Sequence, residues 1–162
     1  MAMTGMFATR VSVEQIEEGY ELAPKFDADG LIPVVTTSAK SGEVLMLGYM
    51  NEEALKLTIQ TGEAHYYSRS REQLWRKGAS SGLLQKVTEI RIDDDQDAVW
   101  IAVEIDGPYG EASCHVGYRS CFYRSLEVGQ GDDEPAKLKF EEHELVFDPK
   151  EVYGDAPNPT KI

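Results

Sequence analysis

The chain has 162 residues, with 29 acidic against 16 basic side chains, a formal net charge of −13, and 41% hydrophobic residues. These proportions suit one soluble domain with a proper core, and the acidic balance argues against a general nucleic-acid binder, which needs basic surface. No run approaches the roughly 20 apolar residues of a membrane span. Met1-Ala2-Met3-Thr4-Gly5 lacks the basic-then-apolar pattern of an export signal, so the cytoplasm is the expected compartment.

Ser12-Val13-Glu14-Gln15 fits a capping box and predicts a short helix through Tyr20 in an N-terminal arm, residues 1–25. Phe26 to Gly30 is turn chemistry. Leu31 to Thr37 and Val44 to Met50 read as strands joined by a hairpin connection at Ala39 to Glu43. Asn51 caps a helix over Glu52–Gln60, with Gly62 just past its end. Ala64 to Ser68 is a third strand. Ser68 to Gly82 then gathers Arg69, Arg71, Arg76 and Lys77, four of the sixteen basic residues, with hydroxyls such as Ser81, glycines and Trp75. Arg forks and Gly-rich backbone bind phosphate and an indole stacks on a base, although a plain solvated loop has the same composition.

Val87 to Ile92 and Ala98 to Val103 alternate as strands, with Gly107-Pro108-Tyr109-Gly110 as a later turn and Ser120 to Arg124 as a final strand. Residues 126–162 form an acidic extension with ten acids and four bases, a net −6. Within it, Leu138 to Phe147 predicts one strand or an edge hairpin, and Pro157 and Pro159 mark a loose end.

Two clusters carry chemistry. Asp93-Asp94-Asp95-Gln96-Asp97 joins two strands. If extended geometry persists there, Asp93, Asp95 and Asp97 share one face and suit a hard cation such as Mg²⁺; an acidic turn in water is the alternative. Cys114, His115 and Cys121 hold the only two cysteines. They offer an incomplete zinc set, against the alternatives of a disulfide or two ordinary buried thiols.

From Phe26 to Tyr123 the chain resembles the phosphoribosyl-AMP cyclohydrolases of histidine biosynthesis. The resemblance rests on Asp29-Gly30-Leu31-Ile32-Pro33, Tyr49-Met50-Asn51, Tyr67-Ser68-Arg69-Ser70-Arg71, Leu74-Trp75, Lys77-Gly78, Ser81-Gly82, Asp93-x-Asp95-x-Asp97, Cys114-His115 and Ser120-Cys121-Phe122. It implies a cyclohydrolase domain at 26–125, mostly β within the α+β class. It further implies a small, partly closed, barrel-like mixed sheet with one main helix, paired as an interlocked homodimer with interfacial sites.

The reaction implied is hydrolysis of the N1–C6 bond of 1-(5-phosphoribosyl)-AMP by zinc-activated water. The family's three zinc cysteines, one from the partner subunit, match Cys114, Cys121 and position 94, where this chain has Asp94. Magnesium falls to Asp93, Asp95 and Asp97. His115 is the expected proton carrier, with His65 as a second, and Arg69, Arg71, Trp75, Lys77 and Ser81 are expected to hold the nucleotide. Ala79 and Ser80 replace the usual Glu and Thr. The acidic extension is too short for the pyrophosphohydrolase domain of fused relatives. The alternatives are a metal-dependent hydrolase of another purine-like ring and a non-catalytic nucleotide-binding dimer that has lost its zinc.

Overall fold

The computed structural model describes residues 5–107 and 109–162. Met1–Thr4, and Pro108 of the expected turn, lie outside the described residues.

Alternation builds the central sheet. Strand β1 (Ile32–Ser38) pairs antiparallel with β2 (Val44–Met50) and parallel with β6 (Val99–Asp106), which pairs antiparallel with β5 (Leu84–Ile92). The order β2-β1-β6-β5 is thus a mixed sheet. On β6, Val99, Ile101, Val103 and Ile105 face the core while the residues between them are more exposed. Each such side chain contributes about 1.5–3 kcal/mol on burial. Helix α2 (Glu52–Thr61) closes one side by burying Ala54, Leu55 and Thr58. Asn51 accepts from the Ala54 N–H at its start, and Gly62, left-handed at φ 72°, ends it as expected.

The barrel expectation is corrected: among the described residues the sheet is open. A two-stranded ribbon, β3 (His65–Ser68) with β4 (Gln73–Arg76), stands beside it, and a second joins β7 (Arg124–Leu126) to β8 (Leu138–Phe140). The reason lies at the β2 edge. There Cys121 N–H donates to the Leu45 carbonyl (2.7 Å) and Ser120 Oγ to the Val44 carbonyl (2.8 Å). An irregular segment thus occupies backbone acceptors that a closing strand would need. For the same reason the strand expected at Ser120–Arg124 starts only at Arg124.

The N-terminal arm, with helix α1 (Val13–Glu18) ending two residues short of the expected Tyr20, is fastened to the acidic turn. Gln96, buried and left-handed at φ 59°, accepts from the Ala23 N–H (2.8 Å) and donates to the Ile16 carbonyl (3.0 Å). Arg10 donates to the Asp95 carbonyl (2.9 Å). At the other end, helix α3 (Pro149–Tyr153) follows a buried Phe147, so the acidic extension contributes to the core. Among the described residues no helix is long and apolar enough to cross a membrane.

Candidate active site

Residues 113–119 fold back on themselves. Ser113 N–H donates to the Arg119 carbonyl (2.9 Å), Cys114 N–H to the Tyr118 carbonyl (3.2 Å) and Gly117 N–H to the Cys114 carbonyl (3.0 Å). This return brings Cys121 back to Cys114, which explains why a six-residue spacing makes one site. The two thiols act on each other's ionisation. Cys121 as donor, opposed by burial and helped by backbone N–H groups and the nearby Lys77, brings the Cys114 thiol down to about 6. The same contact pushes Cys121 up. The pair is therefore one thiolate and one thiol at neutral pH.

Lys77 is the cation of this site. Its Nζ donates to the Ser113 carbonyl (2.9 Å) and lies 5.3 Å from the centre of the Trp75 ring. Burial lowers its pKa, and the two cysteines oppose that. His115 is half-buried; burial holds its pKa below the ordinary value, the neighbouring Asn158 side chain opposes this, and the Lys77 charge adds to the lowering.

A buried polar chain supports the turn from beneath. Tyr66 Oη shares a hydrogen bond with Thr36 Oγ1 (2.7 Å) and donates to Gln85 Oε1 (2.6 Å), while Gln85 Nε2 faces Ser113 Oγ at 3.4 Å. Burial pushes the Tyr66 phenol up, so it stays a neutral donor.

The basic segment is divided by β4. Arg69 lies over the Tyr49 ring (4.1 Å) and is exposed, as is Arg71. Trp75 is half-buried against Tyr66, ring centres 5.5 Å apart. Ser81 accepts from the Leu83 N–H (3.2 Å) and lies beside Tyr153. Gly78 cannot carry a side chain, since a Cβ would stand 2.4 Å from the backbone of Leu83 and Leu84. His65 is buried apart from this constellation: its Nδ1 meets the Glu63 carbonyl (2.8 Å), and its N–H donates to Thr58 Oγ1 (3.0 Å).

Asp93, Asp95 and Asp97 each bring a carboxylate oxygen within 4.8 Å of the others. The expected grouping holds, but a turn makes it, not strand alternation. Asp93 Oδ1 accepts from the Asp97 N–H (2.9 Å) and the Ala98 N–H (3.1 Å), and left-handed Gln96 reverses the chain.

A model of the phosphoribosyl-AMP cyclohydrolase family matches residues 46–123. The chain is 56% identical over 144 residues to the phosphoribosyl-AMP cyclohydrolase of Rhodopseudomonas palustris strain TIE-1, covering 89% of this chain and 92% of that protein. It is 55% identical over 142 residues to the enzyme of that name from Nitrobacter winogradskyi, covering 88% and 94%. The chain belongs to the phosphoribosyl-AMP cyclohydrolase family.

Within that family's pattern, the donor sets fit their metals unequally. Three converging carboxylates suit a hard divalent ion. Two thiols are only part of a zinc set, and among the described residues no third Cys, His, Asp or Glu joins them within ligand reach. Asp94 is exposed on the acidic turn, toward the start of β6, whereas Cys121 docks on Leu45, near the far end of β1. At most three residues of β1, from Val34 beside Val99 to Thr37 beside Val44, separate the two levels, about 10 Å. Asp94 therefore does not join the thiol site of its own chain. Sequence patterning did not point to Tyr66, Gln85, Tyr153, Asn158 or Thr160, because each acts through a partner far away in the chain.

The acidic turn carries a pH-dependent prediction. Hydrogen bonds with Asp95 and Asp93 push the Asp97 carboxyl up to about 6, while Asp93, despite some burial, is held low by the Ala98 N–H and its neighbours. A folded-state pKa raised above the ordinary value of about 4 means the folded chain keeps a proton that the unfolded chain releases. Stability from this group therefore falls as pH rises between those values, and a divalent cation held there would take the place of the proton. Mg²⁺ is expected to raise Tm at about pH 8 and to have little effect at about pH 5. Equal Mg²⁺ increments at both pH values would count against a cation site here.

Proposed function

We propose that this chain is a phosphoribosyl-AMP cyclohydrolase. It works in the cytoplasm as a homodimer, with each site combining the Cys114–Cys121 pair of one subunit with the acidic turn of the other. The observation that carries this reading is the thiolate–thiol pair beside Lys77, short of a zinc set within one chain, in a protein over half identical to relatives of that name.

The substrate's N1-ribosylated adenine carries positive charge that makes C6 electrophilic. Water adds to C6 with loss of a proton, and the N1–C6 bond then breaks as N1 takes a proton, giving the formimino-carboxamide ribotide. The chemistry that zinc supplies when bound is Lewis acidity, which makes water a nucleophile near neutral pH. Cys114 and Cys121 would hold it, with Asp94 of the second subunit as the oxygen donor that completes three ligands. Asp93, Asp95 and Asp97 would hold magnesium.

His115 takes the proton from water and returns one at N1; its depressed pKa keeps the imidazole neutral and able to accept. Cys121 keeps Cys114 ionised, with help from backbone N–H groups and Lys77. Arg69, over the Tyr49 ring, and Arg71, both exposed, suit the two phosphates of the substrate. Trp75, with one face toward Tyr66, and Ser81 bound the base and ribose side. His65, tied to Glu63 and Thr58, is the lesser proton carrier.

Purified protein given 1-(5-phosphoribosyl)-AMP should open its ring, with turnover rising on added zinc. Turnover of a different purine-like ring alone would replace the substrate. Nucleotide binding without any turnover in the zinc-loaded protein would mark a binding protein instead.

A further inference from the structure

The acidic extension reaches the candidate active site. Val146 N–H donates to the Gly117 carbonyl (2.7 Å), and a Cβ on Gly117 would stand 2.5 Å from the Phe147 carbonyl oxygen and 3.2 Å from Leu145 Cδ2. Phe147 anchors this stretch in the core, with Tyr109 at 5.7 Å and Tyr153 at 6.1 Å between ring centres. Tyr153 then lies beside Ser81 of the basic loop. After the turn at Gly154, closed by Ala156 N–H to the Tyr153 carbonyl (3.1 Å), the chain runs back over the cysteine turn. There Thr160 Oγ1 lies 3.4 Å from His115 Nε2, and the Asn158 side chain lies beside the same ring.

Two parts of the site that are far apart in sequence, Ser81 and His115, are thus spanned by one strap whose root is buried. An imidazole that moves a proton must keep one ring nitrogen aimed at the reacting atoms, and a half-buried ring on a four-residue turn has rotational freedom unless something holds it. Contacts at the ring itself remove that freedom.

We propose that residues 146–160 form a wall of the active site, with Asn158 and Thr160 as positioning residues that hold the His115 imidazole and Tyr153 tying the wall to the nucleotide-binding loop. This deepens the reading above and rests on its assignment of His115 as proton carrier.

The test uses the full-length zinc-loaded protein. Asn158→Ala combined with Thr160→Val should lower kcat about tenfold, the lower range for losing the partners that orient a functional group, and leave KM for 1-(5-phosphoribosyl)-AMP near the parent value, because both residues act through the His115 ring. Thr160→Ser should keep parental kcat. Nitrogen-15 resonances of the His115 ring should shift in the double variant and stay in place in Thr160→Ser. Deletion of residues 155–162, which spares Phe147 and α3, should lower kcat to a similar degree. An active parent whose kcat is unchanged by the double variant overturns the positioning role, whatever the resonances do. Unmoved His115 resonances overturn the contact itself. A parent inactive on this substrate, with His115 resonances that still move, sinks the assigned reaction and supports the contact.

Discussion

Cys114→Ser is expected to cost the protein its zinc and lower turnover on the order of 10³-fold or more, since water without a metal has a pKa of roughly 16 against about 7 with one. The size follows from how little redundancy the site has. Cys114 is the thiolate of the pair, and Cys121 reaches it only as a hydrogen-bond donor. A serine hydroxyl does not ionise near neutral pH, so the ligand set loses a charge as well as its soft donor. The fold should survive, because the turn is held by backbone bonds from Cys114 to Tyr118 and from Gly117 to Cys114 that the substitution leaves intact. Circular dichroism and gel filtration check that point, and metal content and turnover check the rest. Cys121→Ala offers an internal comparison in zinc-free protein. Without its donor, the Cys114 thiol should titrate near the ordinary value of about 8.5, not near 6, as followed by thiolate absorbance. Full zinc and full turnover in Cys114→Ser would remove this pair from the chemistry.

What the sequence disclosed was what local periodicity encodes. Strands β1, β2 and β6 and helix α2 were readable because alternation, the Asn51 cap and Gly62 are local signals that tertiary packing then reinforced. The Asp triad was grouped correctly through the wrong geometry: the backbone turns there, and Gln96 adopts a left-handed conformation that a Gln in an acidic run does not announce. Ser120 to Arg124 has the aromatic content of a strand, but Ser120 and Cys121 spend their hydrogen bonds on the β2 edge. The C-terminal stretch read as a loose end because Pro157 and Pro159 break every local pattern. Its anchors, Phe147 and Tyr153, show only in three dimensions, where they meet Tyr109, Gly117 and Ser81. Closure of a barrel failed for a similar reason, since edge occupancy is a long-range property.

Asp94 decides whether two chains share a site. Asp94→Ala should weaken zinc binding and lower turnover by at least about 10²-fold, since 10²-fold is already the upper range for losing a partner that only supports a ligand, whereas Asp94→Cys should keep or tighten zinc, because a thiolate preserves the charge and is the softer donor. These single variants do not say which subunit Asp94 serves; mixing does. In a twofold dimer each interfacial site takes the thiol pair from one subunit and Asp94 from the other. When Cys114→Ser and Asp94→Ala chains are unfolded together in equal amounts and refolded, about half the dimers should be mixed, and each mixed dimer carries one intact site and one doubly broken site. Turnover should then return to about one quarter of the parent level from two nearly inactive parents. If Asp94 served the cysteines of its own chain, every site in the mixture would keep one defect and turnover would not return. The acidic turn and the thiol pair of one chain lie about 10 Å apart by strand count, so recovery is the expected result.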